Sequence, residues 1–169
     1  MRVDSGPPLA HGQDMRLVAL FAVLAVAATS VGAAQAAPTR TEFIRKGDAV
    51  CVQTQRELAP IRARAQAAKL LPQSEQWAAA AAIWAAQIRI QERFVGRMKA
   101  IGTPAGDVVA QRLVASLARG VTLAVAVQRG FANRDSAALS TALPAYITFT
   151  LALNKRVVAY GFQRCGGAT

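Results

Sequence analysis

Apolar residues recur at steps of three and four positions through four stretches of similar length in this 169-residue chain. In the first stretch the steps pass through Phe43, Leu58 and Ile61, and in the second they pass through Trp84 and Ile88. Such spacing places apolar side chains on one face of a helix, and no stretch shows the strict alternation of a half-buried strand. The pattern predicts helices over about 41–69, 75–101, 104–132 and 136–161.

Short polar segments separate these stretches and carry the residue types that begin and end helices. Ser, Thr and Asp side chains accept hydrogen bonds from first-turn N–H groups, and glycine adopts the left-handed conformation that ends many helices. Because the connections are short, neighbouring helices should be antiparallel, and the predicted fold is an all-α, up-down-up-down four-helix bundle. The expected caps are Thr39 with Glu42 in a capping box, Ser74, Thr103 before Pro104, and Asp135 or Ser136, with Gly161 ending the fourth helix.

Two prolines, Pro60 and Pro144, fall inside the first and fourth predicted helices. A proline in a helix interior removes one backbone hydrogen bond and kinks the helix. If the ends of these two helices are level, both kinks lie at nearly the same height, and paired kinks would shape a groove. The alternatives are that they only bend the bundle or mark breaks between shorter helices.

An apolar segment behind Arg16 precedes the helical region. It leads to Ala34-Gln-Ala36, an A-x-A cleavage signature, so residues 15–36 are predicted to be a signal peptide and Ala37 the mature N-terminus. Retention as an anchor is the alternative, although the run is short for a membrane span. Residues 1–14 are expected to be a non-native or disordered extension. No second apolar segment looks long enough to span a bilayer, so the protein is expected to be secreted or extracytoplasmic, in the cell envelope.

The predicted mature part, residues 37–169, is long enough to form one domain with its own core. Twenty Lys and Arg residues outnumber nine acids, and the excess of +11 is unchanged by cleavage because two of each sign lie in the removed part. Such a charge favours anionic partners, such as phosphorylated wall polymers, lipid headgroups or nucleic acid. The alternative is that the cations serve solubility and reflect an arginine-rich codon bias.

Candidate anion-binding cations lie on the second predicted helix and on the second half of the first. Arg89, Arg93 and Arg97 repeat every four residues, and guanidinium groups bind phosphate or carboxylate in bidentate fashion. A solvated outer face explains the same spacing. Nucleic acid is the anionic partner least favoured, because no aromatic residues suited to base stacking are interleaved with the cations. The candidate anion-binding residues are Arg62, Arg64, Arg89, Arg93, Arg97 and Lys99.

Aromatic and polar residues at core positions are candidates for a ligand groove. Trp77 and Trp84 lie on the core face, where they either pack in the core or line an apolar groove. Gln91 and Thr150 are polar at core positions, and buried polar groups need hydrogen-bond partners. They are expected to bond each other, to hold water, or to mark where the bundle opens. The candidate apolar groove comprises Trp77, Trp84, Tyr146, Pro60 and Pro144.

The predicted mature sequence lacks residues that several kinds of catalytic and cofactor chemistry require. The only histidine, His11, precedes the predicted cleavage site, so the mature chain lacks Ser-His and Cys-His pairs, the commonest zinc ligand and a histidine for haem. Glycine-rich nucleotide motifs are missing as well. No catalytic, metal-binding or cofactor-binding residue is therefore predicted. An enzyme that uses Asp48 or Glu57 stays an alternative. For Asp48, nearby Arg45 and Lys46 favour a surface ion pair.

The chain contains two cysteines, Cys51 and Cys165. In an oxidising compartment they are predicted to form a disulfide, and the alternatives are free thiols or a bridge to a partner. Cys165 follows the expected helix end at Gly161. A bridge therefore requires the tail to fold back at Gly161, or the first helix to protrude beyond the fourth.

Two short motifs around these cysteines resemble a loose group of uncharacterised exported helical proteins from actinobacteria. The segment Phe43-Ile-Arg-Lys-Gly-Asp-Ala-Val-Cys51 is similar to the group's F-x-x-x-A-D-x-x-C opening, with Gly47 in place of the usual alanine. The segment 160–166 is similar to its Y-G-x-x-x-C-G close. The resemblance covers these two motifs, implies secretion and the disulfide, and implies no activity.

Together these features predict an exported, non-catalytic helical-bundle protein that is a binding or structural component of the cell envelope, with affinity for anionic surfaces. A protein partner in the envelope is the other form of this hypothesis. The alternative from a different class is a carrier or sensor of a small apolar ligand held between the kinked helices. An enzyme is the third class.

Overall fold

The computed structural model describes residues 36–166 of the chain. It contains four helices: α1 (Arg40–Ala68), α2 (Gln73–Ile101), α3 (Val108–Ala132) and α4 (Ser136–Tyr160). Each helix packs against the next one along the chain. The predicted all-α, up-down-up-down four-helix bundle is thereby confirmed. The expected N-terminal extension and the apolar segment of the predicted signal peptide lie outside the described residues.

The helix ends expected from the sequence are present at α1 and α4. Thr39 and Glu42 form a capping box, in which the Glu42 N–H donates to Thr39 Oγ1 over 3.2 Å and the Thr39 N–H donates to Glu42 Oε2 over 2.9 Å. Asp135 is the N-cap of α4 and accepts a hydrogen bond from the Ala138 N–H. Gly161 ends α4 with a left-handed φ of 117°. Both helices continue through their prolines, which therefore do not mark breaks between shorter helices.

The expected start of α2 was wrong. Ser74 lies inside this helix, which follows the N-cap residue Pro72 and has no side-chain cap. The N–H groups of Glu75 and Gln76 already donate to the Pro72 carbonyl, at 2.9 and 3.2 Å. The backbone therefore closes the first turn from Pro72, two positions before the expected cap at Ser74.

The expected start of α3 near Pro104 was also wrong. Residues 103–107 instead form a turn, in which the Asp107 N–H donates to the Pro104 carbonyl over 3.1 Å. Gly106 has a φ of 72°, and a left-handed residue cannot continue an α-helix. The helix therefore begins after this glycine, at Val108, with Asp107 as its N-cap.

The hydrophobic core is concentrated at one end of the bundle. A second cluster, formed by Ile61, Ala86 and Ile90, is smaller and lies among residues of α1 and α2. Burial of apolar surface is the main favourable term in folding, so the end with the larger cluster should be the more stable one. That larger cluster consists of Phe43, Met98, Ala110, Leu113, Leu153, Val157, Tyr160 and Phe162.

The seam between α1 and α4, the line along which the first and last helices of the bundle would pack, is open. No Cα atom of α1 lies within 8 Å of a Cα atom of α4. Helices that pack directly have axes about 8–10 Å apart, with side chains interdigitated. The bundle is therefore closed along three seams and leaves the fourth to be filled by side chains, by the C-terminal residues, or by a ligand.

Two of the described helices are long and apolar enough to cross a membrane by length and composition alone. They are α3 and α4, each with a mean hydropathy of 1.4 over its most apolar window. The expectation that no second apolar segment reaches that length was therefore wrong. Core helices of soluble bundles meet the same two criteria, so this property does not by itself establish a span.

Candidate functional site

The residues after α4 fold back onto α1, and we refer to residues 161–166 as the C-terminal tail. Cys51 and Cys165 form a disulfide with a Cα–Cα distance of 5.1 Å, which confirms the predicted bridge and the reversal at Gly161. The Asp48 carboxylate accepts hydrogen bonds from the N–H groups of Gln163 and Arg164, at 3.1 and 2.8 Å. The expected ion pair of Asp48 is absent from residues 36–166, and this carboxylate instead holds the tail.

Phe162 of the C-terminal tail fills the seam between α1 and α4 at the disulfide end. Its ring packs edge-on against Phe43, with centroids 5.6 Å apart, and lies 5.7 Å from the Tyr160 ring. A Cβ atom on Gly47 would lie 2.4 Å from Phe162 Cε1. Only a residue without a side chain at position 47 allows the ring to approach α1 this closely.

Beyond Phe162 the open seam forms a cavity of about 350 Å³, which we call the α1–α4 groove. The disulfide and the tail border one end, and Arg62 lies on its α1 side. Its walls are mostly apolar and come from all four helices, which is typical of small-molecule sites. The residues that line it include Thr54, Leu58, Gln87, Gln91, Phe94, Leu117, Tyr146, Phe149, Thr150, Leu153 and Val157.

A small polar cluster lies within this apolar groove. The side-chain amides of Gln87 and Gln91 both donate to the Tyr146 hydroxyl oxygen, at 3.1 and 2.8 Å. Gln91 Oε1 is buried and has no hydrogen-bond partner among the described residues. Because the Tyr146 oxygen accepts from both amides, its own O–H remains available as a donor. Burial raises the pKa of this hydroxyl above its usual value, so it keeps its proton near neutral pH.

The two polar core residues singled out from the sequence do line the groove, and they mark where the bundle opens. They do not bond each other: Gln91 donates to the Tyr146 hydroxyl, while the Thr150 hydroxyl donates to the backbone carbonyl of Tyr146. Gln87 was not singled out. Its spacing of four residues from Gln91 places both amides on one helix face, which is the sequence feature that identifies it.

The residues expected to form an apolar groove are separated in the structure. Tyr146 lines the α1–α4 groove, whereas Trp77 and Trp84 line a different depression of about 400 Å³ between the α1–α2 turn and Phe131. Trp84 packs edge-on against the Tyr146 ring at 5.0 Å and supports it from behind. The two prolines are exposed and lie outside the groove; Pro144 borders a shallow depression on the outer side of α3 and α4.

The candidate anion-binding residues do not form one free cluster. Glu57 accepts a hydrogen bond from Arg93 at 3.0 Å and another from Arg97 at 2.7 Å. The Arg97 bond, followed by that of Arg93, lowers the pKa of Glu57 below its usual value. The remaining members are exposed and form no ion pair with any acid of residues 36–166; they are Arg62, Arg64, Arg89 and Lys99.

A junction of three helix ends was not predicted. Tyr160, at the end of α4, donates its hydroxyl hydrogen to Asp107 Oδ2 over 2.7 Å, while Asp107 Oδ1 accepts from the Ala110 N–H over 2.9 Å. Arg40, at the start of α1, donates to the Tyr160 carbonyl over 2.7 Å, and its guanidinium lies 4.5 Å from the ring centroid. Asp107 lies in the first turn of the helix predicted over about 104–132, but the sequence carried no sign that a tyrosine 53 residues away would bond to it.

The pKa values at this junction follow from its contacts. Burial, together with the hydrogen bond and charge of Asp107, raises the pKa of Tyr160 to about 12. The Ala110 N–H, followed by the Tyr160 hydroxyl, lowers the pKa of Asp107 below its usual value. Tyr160 is therefore protonated and Asp107 ionised at neutral pH, so both groups act as structural hydrogen-bonding partners.

Within residues 36–166 no three His, Cys, Asp or Glu side chains converge on a point where they would hold a metal ion. No protein-family description, curated protein or solved structure matches the chain. The α1–α4 groove with its polar cluster is thus the feature from which a function is inferred.

Proposed function

We propose that this protein is an exported, non-catalytic binding protein that holds a small, largely apolar molecule in the α1–α4 groove. The observation that carries the proposal is an acceptor without a partner, the buried Gln91 Oε1, on a residue that lines a largely apolar cavity of about 350 Å³. A buried acceptor without a hydrogen bond destabilises a fold by about 1–3 kcal/mol. A ligand with a donor, which the oxygen meets when the Gln91 side chain turns it toward the groove, would remove that cost. The volume falls in the range of small-molecule sites.

The polar cluster restricts the chemistry of the ligand. Gln91 Oε1 accepts a hydrogen bond, and the free Tyr146 O–H donates one, so together they complement a hydroxyl, a secondary amine or an amide. The rest of the groove wall toward the disulfide is mostly apolar, with Phe94, Leu153 and Val157 among its residues. Its polar members are Thr54, Gln55 and Asn154. The expected ligand is therefore an apolar molecule with one hydrogen-bonding group, which lies at the glutamines while its apolar part extends toward the disulfide.

The carboxylates of α1 support a binding role over a catalytic one. Asp48 accepts two backbone hydrogen bonds of the C-terminal tail, and Glu57 is held between two arginines. A general base needs a carboxylate that faces the substrate and is free to take a proton. Neither of these groups lines the groove.

The second candidate function is attachment to an anionic surface of the envelope through exposed cations. Arg62, Arg64 and Arg89 are exposed and unpaired within residues 36–166, and the chain carries a net charge of +11. Such binding weakens steeply as salt screens the charges, whereas binding of a neutral molecule in the groove does not. Salt dependence therefore separates the two candidates.

The groove is tested with N-phenyl-1-naphthylamine, a neutral apolar fluorophore that carries one N–H donor. We expect its fluorescence to rise on addition of the protein and its affinity to be unchanged between low and high salt. In the Gln91→Leu variant the affinity should fall by roughly fivefold, because about one kcal/mol of hydrogen bonding is lost. The matched control is Gln53→Leu, at an exposed position of α1 that does not line the groove. Equal affinity in the two variants, or no fluorescence change at all, would exclude the groove as the site.

A further inference from the structure

The fourth helix is apolar on its outer side as well as on the side that packs against the bundle. Ile147, Leu151 and Val158 are 47, 59 and 54% exposed, respectively. Their spacing of four and seven residues places them on one face of α4. The outer face of a helix in a soluble bundle normally carries polar residues, so an apolar outer face indicates that another surface covers it.

The charged side chains within α3 and α4, which we call the α3–α4 layer, are all cationic. Neither Val108–Ala132 nor Ser136–Tyr160 contains an aspartate or a glutamate. The acids that precede these helices, Asp107 and Asp135, are N-caps and accept hydrogen bonds from backbone N–H groups. The exposed cations of the layer are Arg112, Arg119, Arg129, Lys155 and Arg156.

Two of these cations border apolar surface on the outer side of α3 and α4. Arg119 and Arg156 line a shallow depression that also includes Ala145, Phe149 and Ala152. The Arg119 guanidinium lies 5.6 Å from the centroid of the Phe149 ring. Long cationic side chains can lie along an apolar surface with the charge at its border, which is the arrangement found at membrane interfaces.

We propose that the outer face of α4 docks onto a lipid bilayer with anionic headgroups and lies in the plane of the interface. The side chains of Ile147, Leu151 and Val158 insert among the upper acyl chains, and Lys155, on the same side of α4, contacts the headgroups. The two arginines of the depression lie on the α3 side of the helix and add to the positive potential of this side of the bundle. The net charge of +11 argues against a second copy as the occupant, because two identical basic faces repel each other. This surface is separate from the α1–α4 groove, and the inference does not depend on the groove's function.

The test is flotation of the full chain with vesicles made of equal parts of phosphatidylglycerol and phosphatidylcholine. We expect the protein to float with these vesicles, to stay behind with pure phosphatidylcholine, and to be released by high salt. Leu151→Glu should weaken the apparent vesicle affinity by roughly tenfold or more, because one apolar side chain leaves the interface and a carboxylate faces the anionic lipid.

The matched control is Leu70→Glu, which makes the same change at an 88% exposed leucine in the turn between α1 and α2. Both variants carry the same N-terminal segment, so any affinity of that segment for vesicles is common to them. Equal flotation of the two variants contradicts the proposal, as does binding that resists high salt and alkaline carbonate, which indicates a span. A lipid-free dimer that Leu151→Glu disrupts would assign the face to a second copy and overturn the proposal as well.

Discussion

At the scale of single residues, the disulfide end of the bundle depends on the absence of a side chain at position 47. Phe162 occupies the space where a Cβ atom of residue 47 would stand, and it packs there with Phe43 and Tyr160. A glycine inside a helix normally costs stability relative to alanine. Here that cost is offset by a ring that closes the seam between α1 and α4.

Gly47→Ala should therefore destabilise the protein by about 1–3 kcal/mol, the usual cost of forcing an extra methyl group into a packed site. Gly96→Ala is the matched control, because a Cβ atom there meets nothing within 4 Å. That control should stabilise α2 by about 0.5–1 kcal/mol through helix propensity. Urea unfolding of both variants measures the difference, and replacing Phe162 by leucine in the Gly47→Ala protein should recover part of the loss. Equal effects of the two alanine substitutions would show that the ring does not limit position 47.

At the scale of elements, the ends of three helices meet at the Tyr160–Asp107 junction. The N-cap of α3, the last residue of α4 and the first residue of α1 are joined by one carboxylate, one hydroxyl and one guanidinium. Helix ends carry backbone groups without partners inside the helix, and their capping fixes where each helix begins. The hydrogen bond from Tyr160 of α4 to the N-cap residue of α3 therefore fixes the position of one helix relative to the other.

This junction predicts a stability loss at high pH. The pKa of Tyr160 is raised from 10.0 to about 12, so its contribution to stability is complete below pH 10 and is lost as the pH rises toward 12. The lowered pKa of Asp107 acts in the opposite direction: its contribution is present above the unfolded value of 3.8 and is lost as the pH falls through the folded value. Urea midpoints measured across the pH range should decline at both limits.

Tyrosinate absorbance follows the titration of the tyrosine hydroxyls at high pH directly. The chain has only two tyrosines, Tyr146 and Tyr160. Asp107→Asn should lower the pKa of Tyr160 in part, since the carboxylate that adds to the effect of burial is removed, while the titration of Tyr146 is unchanged. Asp135→Asn alters an N-cap that bonds no tyrosine and should leave both titrations in place. A Tyr160 titration that is identical in the two asparagine variants would contradict the proposed coupling.

At the scale of the whole molecule, the disulfide joins two residues that are 114 positions apart in sequence, and the loop that it closes contains most of the bundle. It also borders the groove, so the same bond that limits the unfolded chain determines one end of the cavity. The C-terminal tail adds the Asp48 hydrogen bonds and the Phe162 ring, which do not depend on the covalent bond. The tail is thus held in two ways, one covalent and one through packing and hydrogen bonds.

Replacing both cysteines by serine should lower the free energy of unfolding by up to about 5 kcal/mol, the chain-entropy value for a loop of this length. Asp48→Ala should cost less, because it removes only hydrogen bonds and leaves the bridge intact. Urea unfolding of the oxidised protein, the double variant and Asp48→Ala gives the order of the three. If Asp48→Ala proved as damaging as loss of the bridge, the tail would be held mainly by its hydrogen bonds.

The sequence by itself predicted the four helices, the cysteine pairing and the caps at Thr39 and Gly161, and it narrowed the N-cap of α4 to Asp135 or Ser136. The helices and the caps depend on local spacing and are visible within a few residues of the chain. The cysteine pairing follows from the presence of two cysteines in the chain. The starts of α2 and α3 were missed because backbone hydrogen bonds at Pro72 and a left-handed Gly106 overrode nearby cap residues.

Only the tertiary structure decided which seam stays open and which polar groups meet across it. Glu57 meets arginines 36 and 40 residues away, and Gln91 meets a tyrosine 55 residues away. Such pairs depend on how the helices are rotated and how far each side chain reaches, and helical periodicity carries neither quantity. The α1–α4 groove exists because one phenylalanine of the tail fills only one end of a seam that the helices themselves do not close.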